Sequence, residues 1–306
     1  MSRVRTLLAA ALVISTNAHA WDPAGHMLVG QIAWTQTTPA ARARVEELAA
    51  KLENTYNEMR PYNFITVGCW MDDMRSKKGY AWSKWHYVNG PWTADGVAFT
   101  VPEPPHVIWA VDESLKTLKS ANTAPDKAAE ALAMVIHFVG DIHQPMHTTE
   151  RGDRGGNGVF IAGIPFTDLW PGTKANLHAF WDKAFRFDKD GEKIVEIWKG
   201  PATSERPVNA ESGVIAERAA KIMTAFPAES LAAEIGKMET LEWARESHRL
   251  GCVSGYPAGF VPSDNHVETL TGDFAAQSRA IAERRIALGG YRLARLLNEA
   301  LAPLAK

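Results

Sequence analysis

Two His/Asp pairs spaced four residues apart, His137/Asp141 and His178/Asp182, do most to restrict the folds open to this chain. Four residues is just over one helical turn, so each pair reaches a common point only where its segment is helical. Between the pairs, Pro145 should end the first helix just past His143 and turn the chain, letting His147 reach back from another direction. One metal position can then draw on His137 and Asp141, and a second on His147, His178 and Asp182. A lone histidine in such a place is more often a satisfied core or surface group. Here His137, His143, His147 and His178 fall within about forty residues, accompanied by Asp141 and Asp182, and it is this concentration that argues for metal. His143, six residues after His137, points elsewhere on a helix and reads as structural or supporting.

The donor types narrow the metal. The chain has two cysteines, Cys69 and Cys252, and no CxxC pair, so ligands must be imidazole and carboxylate. Such a set suits zinc when coordination is near tetrahedral and one position stays open for water or substrate. An oxidising compartment would permit the two cysteines to pair, and the sequence leaves that open.

The rest of the chain reads as mainly helical. Ala40–Leu52, Asp126–His143, Ser212–Phe226, Leu231–Arg249 and Thr269–Leu301 place apolar residues at helical spacing. Strand-like alternation is scarce: Gly158–Phe166 predicts at most a short β-hairpin. Asn54–Asn63, Gly90–Pro105 and Gly200–Asn209 read as loops. The expectation is an all-α fold, a single domain over residues 21–306, because no Pro/Gly/Ser-rich linker divides it.

Residues 1–20 read as a signal peptide: Arg3 and Arg5, a short apolar run from Leu7 to Ile14, then Ala18-His19-Ala20 before the cut. Cleavage would leave Trp21 first. The run is too short to anchor in a bilayer, which needs ~20 apolar residues, so an exported protein, periplasmic or secreted, with no membrane anchor is expected. The formal charge of −2 becomes more acidic without those arginines. Clustered Lys and Arg, the usual footprint of a polyanion binder, are absent, so any affinity for phosphate must be local, and bound metal is the obvious source.

Three segments together identify a family. His137-Phe-Val-Gly-Asp141-Ile-His143-Gln-Pro-Met-His147, Arg154-Gly-Gly-Asn157 and Asn176-Leu-His178-Ala-Phe-Trp181-Asp182 closely resemble the zinc-dependent, single-strand-specific nucleases of the S-one/P-one type. The resemblance begins at Trp21 and His26, continues through Trp70-Met-Asp72-Asp-Met-Arg75 and Trp85-His86-Tyr-Val, and ends near Gly289-Gly-Tyr-Arg. Each piece alone is weak; in this order and spacing they are specific. The resemblance implies the mostly helical fold shared with bacterial zinc phospholipases C, and three Zn2+ ions. One would be held by Asp72, His86, His137 and Asp141, a second by His147, His178 and Asp182, and a third by His26, Asp141 and the amino nitrogen and carbonyl oxygen of Trp21. It also implies hydrolysis of single-stranded DNA or RNA to 5′-nucleotides, with 3′-nucleotidase activity beside it. No obligate protein partner is inferred.

Elementary chemistry bears on that third position. An amide nitrogen is a poor ligand, whereas an α-amino group titrates at about 7.7 to 8.0 and gives up its proton to metal at modest cost. Signal cleavage would therefore create a ligand. Three divalent ions against the carboxylates Asp72, Asp141 and Asp182 would also leave a cationic inner shell, which would draw a phosphodiester to an acidic protein. The implied mechanism is in-line attack by a zinc-activated water, with Asp72 orienting or deprotonating it and Arg75 stabilising charge in the transition state.

Several residues carry alternatives. Asp73 adjoins Asp72 and could be the ligand instead, though the W-x-D-x-x-R frame favours Asp72. Trp82, Trp85, Tyr87 and Trp92 could stack on bases, yet core packing is the plainer expectation for each. His106, His248 and His266 lie outside every motif. Lys183 and Ala184 depart from the family pattern of Thr and a polar amide after the Trp-Asp ligand, which puts the base pocket in doubt. The rival readings are a zinc phospholipase C, which tends to use Glu where this chain has Asp182, and a non-catalytic periplasmic zinc-binding protein.

Overall fold

The computed structural model describes residues 21–52, 61–77, 79–163, 175–186, 213–261 and 267–302. Residues 1–20, expected to be a signal peptide, and the Gly200–Asn209 segment, expected to be a loop, lie outside these, as does most of Asn54–Asn63. Among the described residues the chain is mainly helical. In order come α1 (Pro23–Gln36), α2 (Pro39–Ala49), α3 (Trp70–Asp73), β1 (Gly90–Pro91), α4 (Val107–Lys119), α5 (Pro125–Ile142), β2 (Thr149–Glu150), β3 (Phe160–Ala162), α6 (Leu177–Trp181), α7 (Val214–Ala225), α8 (Ala232–Ile235), α9 (Thr240–Ser254), β4 (Val267–Thr269) and α10 (Gly272–Ala300). No helix among them is long and apolar enough to cross a membrane.

The centre is α5, buried along nearly its whole length from Ala128 to Ile142. It packs on α4, α2 and α10, and α1 lies against α10. The α1–α10 contact is close enough that a Cβ on Gly290 would sit 2.6 Å from the side chain of Ile32. Asp22 caps α1 by accepting from the Gly25 amide, with Pro23 at the first helical position, where its missing N–H costs nothing.

Some elements differ from the sequence reading. Helix α1 is buried on all sides from Ala24 to Ala33, so it has no polar stripe for periodicity to detect. The buried face of α4 includes Ser114 where a pattern search asks for an apolar residue. Leu231–Arg249 is two helices, α8 and α9, separated at Gly236–Glu239. Of the Gly158–Phe166 segment, residues 164–166 lie outside the described residues; within the described part β3 pairs in parallel with β4, more than one hundred residues on, and Phe160 bridges antiparallel to Asn176. Alternation marks a strand but does not name its partner. Within Gly90–Pro105, β1 pairs with β2 and so ties this loop to the segment carrying His147.

Below the end of α5 lies a buried polar network. Arg292, fully buried, donates from Nη1 to His143 Nε2 at 2.9 Å and to Glu246 at 2.8 Å, while His143 Nδ1 donates to Val139 O at 2.7 Å. Arg285 donates to the same carboxylate at 2.9 Å and to His143 O at 3.2 Å. Burial and the two guanidiniums hold the His143 pKa well below its usual value, so it stays neutral and accepts. Removing one member strands the others in low dielectric. Arg292→Met should therefore lower the unfolding free energy by about 3 to 5 kcal/mol, read from urea denaturation of the purified protein; a loss under about 1 kcal/mol would contradict this account.

Candidate metal centre

The last two turns of α5 put His137 and Asp141 on one face, both fully buried. Helix α1 brings His26, whose ring stacks on His137 at 4.0 Å and whose Nε2 lies 3.4 Å from Asp141 Oδ1. The short turn Ser83–His86 brings His86 Nδ1 to 2.9 Å from both Asp141 Oδ2 and His137 Nε2. Helix α3 supplies Asp72, whose Oδ1 is 3.9 Å from His137 Nε2 and 2.8 Å from Arg75 Nε. Its neighbour Asp73 turns the other way and accepts from the Tyr62 hydroxyl at 2.6 Å, so Asp72 is the one that faces the cluster.

The second pair behaves as its spacing suggests. His178 and Asp182 lie on and just past α6, with Nε2 and Oδ1 3.8 Å apart, and His147 Nε2 stands 3.2 Å from His178 Nε2. Three His/Asp groups could hold a metal ion: His26, Asp72 and His137; His86, His137 and Asp141; and His147, His178 and Asp182, the donors in each lying within 4.8 Å of one another. The last is the set read from the sequence. The first two share His137 and divide the residues expected at the other positions. Trp21 is fully buried alongside, its indole donating to Gly140 O at 2.9 Å, one residue before Asp141.

Proton positions test whether these residues fit a cation. His137, His147 and His178 each direct Nδ1 at a main-chain oxygen, of Gly68, His86 and Gly155, at 2.6, 2.6 and 2.7 Å. A carbonyl only accepts, so Nδ1 carries a proton, and whenever the ring is neutral Nε2 presents the lone pair. The Nε2 atoms of His147 and His178 thus face each other lone pair to lone pair at 3.2 Å. Two nitrogens on a tetrahedral zinc at bond lengths of ~2.05 Å stand about 3.3 Å apart, so the spacing suits a shared ion. A ring nitrogen held by a carbonyl is also how metal-binding histidines are ordinarily oriented. Both nitrogens of His26 and Oδ1 of Asp141 are buried and make no hydrogen bond among the described residues.

The electrostatics point the same way. Burial holds the His26 and His86 pKa values well below normal, helped by His137 and by Arg75 respectively, so both rings are neutral. Burial pushes Asp141 up to about 6 although His137 pulls it down, and pushes Asp182 well above the carboxylate range against the pull of Lys183 and Gln144. His137 is raised, because Asp141 and Asp72 together outweigh its burial. The positive groups nearby do not offset the burial of these carboxylates, and a bound cation would.

Sequence reasoning missed some supporting groups. Gln144, fully buried, donates to Asp182 Oδ1 at 2.7 Å and accepts from the Met146 amide. It sits inside the His143–His147 run, which was the only available signal. Tyr80 places its hydroxyl 2.5 Å from His86 Nε2, and no pattern flagged it. Lys183 is buried, and that burial lowers its amine to about 8 against the pull of Asp22 and Asp182. Trp82, Trp85 and Trp92 pack partly buried against the core, Trp92 beneath the Arg151 guanidinium at 4.1 Å. Tyr87 is half-buried. His106 caps α4, and His248 joins Thr148 O to Ala98 O; His266 lies outside the described residues. Cys69 and Cys252 are both buried and are not joined to each other by a disulfide.

A family model described as S1/P1 Nuclease matches residues 21–302. Endonuclease 2 of Arabidopsis thaliana is 28% identical, covering 94% of this chain and 92% of its own. Nuclease S1 of Aspergillus oryzae is 23% identical over 97% of this chain and 98% of its own, and Nuclease P1 of Penicillium citrinum 24% identical over 91% and 97%. With a match running through every element of the buried His/Asp cluster, the chain belongs to the S1/P1 nuclease family and is a nuclease, a hydrolase of phosphodiester bonds.

Proposed function

We propose that this protein is an exported, zinc-dependent endonuclease that cleaves single-stranded DNA and RNA to 5′-nucleotides, with 3′-nucleotidase activity at the same centre. Residues 1–20 are the signal peptide and residues 21–306 the catalytic domain; the family match beginning at residue 21 supports that boundary. One observation carries the reading: His26, Asp72, His86, His137, Asp141, His147, His178 and Asp182 come together in the interior from segments far apart in sequence.

Three zinc ions fit these donors. Asp72, His86, His137 and Asp141 would hold one, His147, His178 and Asp182 another, and His26, Asp141 and the terminal amine and carbonyl of Trp21 the third. Bound zinc supplies Lewis acidity, lowering the pKa of water and neutralising phosphate charge. The remaining work falls to the chain. Asp72 takes up or orients the proton of the attacking water, while its 2.8 Å ion pair with Arg75 Nε holds the guanidinium next to that carboxylate. Arg75 stays charged, because burial, which lowers its pKa, is outweighed by Asp72, Tyr80, Asp141 and Asp182 together, and it stabilises the negative charge that grows on the phosphoryl oxygens. Gln144 fixes Asp182, and the Gly68, His86 and Gly155 carbonyls fix three imidazoles.

The test compares protein beginning at Trp21 with protein carrying one extra residue before it. Zinc content is measured, together with cleavage of denatured DNA, duplex DNA, RNA and phosphatidylcholine. The expected result is cleavage of both single-stranded substrates well ahead of duplex, and loss of metal and activity together in the extended protein. Rapid lipid hydrolysis with intact DNA would reverse the assignment in favour of a phospholipase C. Metal uptake without turnover on any substrate would leave only a zinc-binding protein.

A further inference from the structure

The proposed third zinc position depends on a chain terminus, the part of a protein most prone to fray. Something must hold Trp21 in place. Its indole is fixed at one end by the hydrogen bond to Gly140 O at 2.9 Å and flanked by Phe185, whose ring meets it edge-on at 6.3 Å. Those contacts fix a side chain; the donors in question are main-chain atoms.

The main chain is fixed one residue later. The Asp22 amide donates to Asp182 O at 3.2 Å, which sets the plane of the Trp21–Asp22 peptide. In a trans peptide the N–H and C=O point in opposite directions, so this bond turns the Trp21 carbonyl away from Asp182. The Asp22 side chain is held twice more: Oδ1 accepts from the Gly25 amide at 3.1 Å, and Oδ2 pairs with Arg186 Nη2 at 2.7 Å. Asp22 is 4% exposed and Arg186 3%, so this is a buried ion pair. Arg186 lies in the turn Ala184–Arg186, which Lys183 alone separates from Asp182, and the turn is itself anchored where Arg218 donates to Phe185 O at 3.2 Å.

We infer that the buried Asp22–Arg186 pair is a positioning latch that aims the Trp21 amine and carbonyl at the zinc held with His26 and Asp141. The inference rests on the reading of Trp21 as a ligand. The latch ties the start of α1 to the turn that follows the segment carrying Asp182. Neither residue touches metal or substrate; both act through Trp21.

The test uses protein beginning at Trp21, loaded with zinc, and the variants Asp22→Asn, Arg186→Gln, both together, and Arg186→Lys. Asn is as good an N-cap as Asp, so Asp22→Asn keeps α1 while removing the charge. Each protein is dialysed against a graded series of chelator and its bound zinc counted, and its metal-free melting temperature is recorded separately. Supporting partners of ligands are worth 10- to 100-fold in metal affinity. One ion per chain should therefore leave at about 10- to 100-fold weaker chelation in Asp22→Asn and Arg186→Gln, while the others leave as in the parent. The double variant should be no worse than the more affected single one, and Arg186→Lys should recover part of the affinity. If the variants melt lower yet keep every ion at parental strength, the pair is only structural and the latch is overturned. If the parent keeps all its zinc when a residue is added ahead of Trp21, the terminal amine is not a ligand, and the latch falls with that reading.

Discussion

Replacing Asp141 with Asn should cut phosphodiester cleavage by at least about a thousandfold, measured as initial rate on denatured DNA at saturating zinc. Asp141 is the carboxylate that stands between His26, at 3.4 Å from Oδ1, and His86 and His137, at 2.9 and 3.2 Å from Oδ2. On the proposed assignment it serves two ions, and an amide offers neither the charge nor a second anionic oxygen. The same substitution should not destabilise the metal-free protein, because burial already pushes the Asp141 pKa up to about 6 and Asn removes that desolvation cost. Circular dichroism and the metal-free melting temperature check the fold. A variant that melts normally without metal but keeps more than about a tenth of the rate would remove Asp141 from the catalytic centre.

Stripping the metal should lower the melting temperature by about 10 °C or more at pH 7, read by calorimetry with and without chelator. Zinc at a thousand times its dissociation constant stabilises by about 4 kcal/mol per site. Each kcal/mol shifts the midpoint by roughly 2 to 4 °C in a domain of 150 to 250 residues. The gap should also depend on pH. The Asp141 carboxyl, at about 6, lies above its ordinary value of 3.8, so without metal the folded state holds more protons than the unfolded one between those values. Its contribution to metal-free stability is complete below that window and is lost as pH rises through about 6. Metal takes the place of that proton. His26 and His86 are already neutral when folded, so they offer no proton competition. The difference between loaded and stripped protein should therefore widen from pH 5 to pH 7, and an equal gap at both would show that metal does not engage the buried carboxylates.

What could be read from the sequence was what a helix makes local. His137/Asp141 and His178/Asp182 declared themselves because one helical turn sets their geometry, and Pro145 marked where α5 must stop and the chain turn toward His147. His26, Asp72 and His86 have no such period linking them to α5; they were named through family resemblance, and tertiary packing brings them in. The choice between Asp72 and Asp73 followed a motif in sequence and a hydrogen bond to Tyr62 in space. Helix α1 escaped detection because a helix buried all round has no polar side. The β3–β4 pairing, Gln144 and Tyr80 escaped because each depends on which distant segment arrives beside it.

The indole of Trp21 reaches Gly140 across 119 positions, and the orienting carbonyls of Gly68 and His86 serve imidazoles 69 and 61 positions away. Loops of that length close late in folding, since chain entropy opposes them until many distant contacts can form together. The His178/Asp182 spacing is local to α6 and the residue after it, whereas the enclosure of the cluster needs the whole topology. Ion capture is thus a readout of completed assembly: a kinetic trace of zinc uptake during refolding would follow the slowest tertiary phase and lag behind the recovery of helical signal.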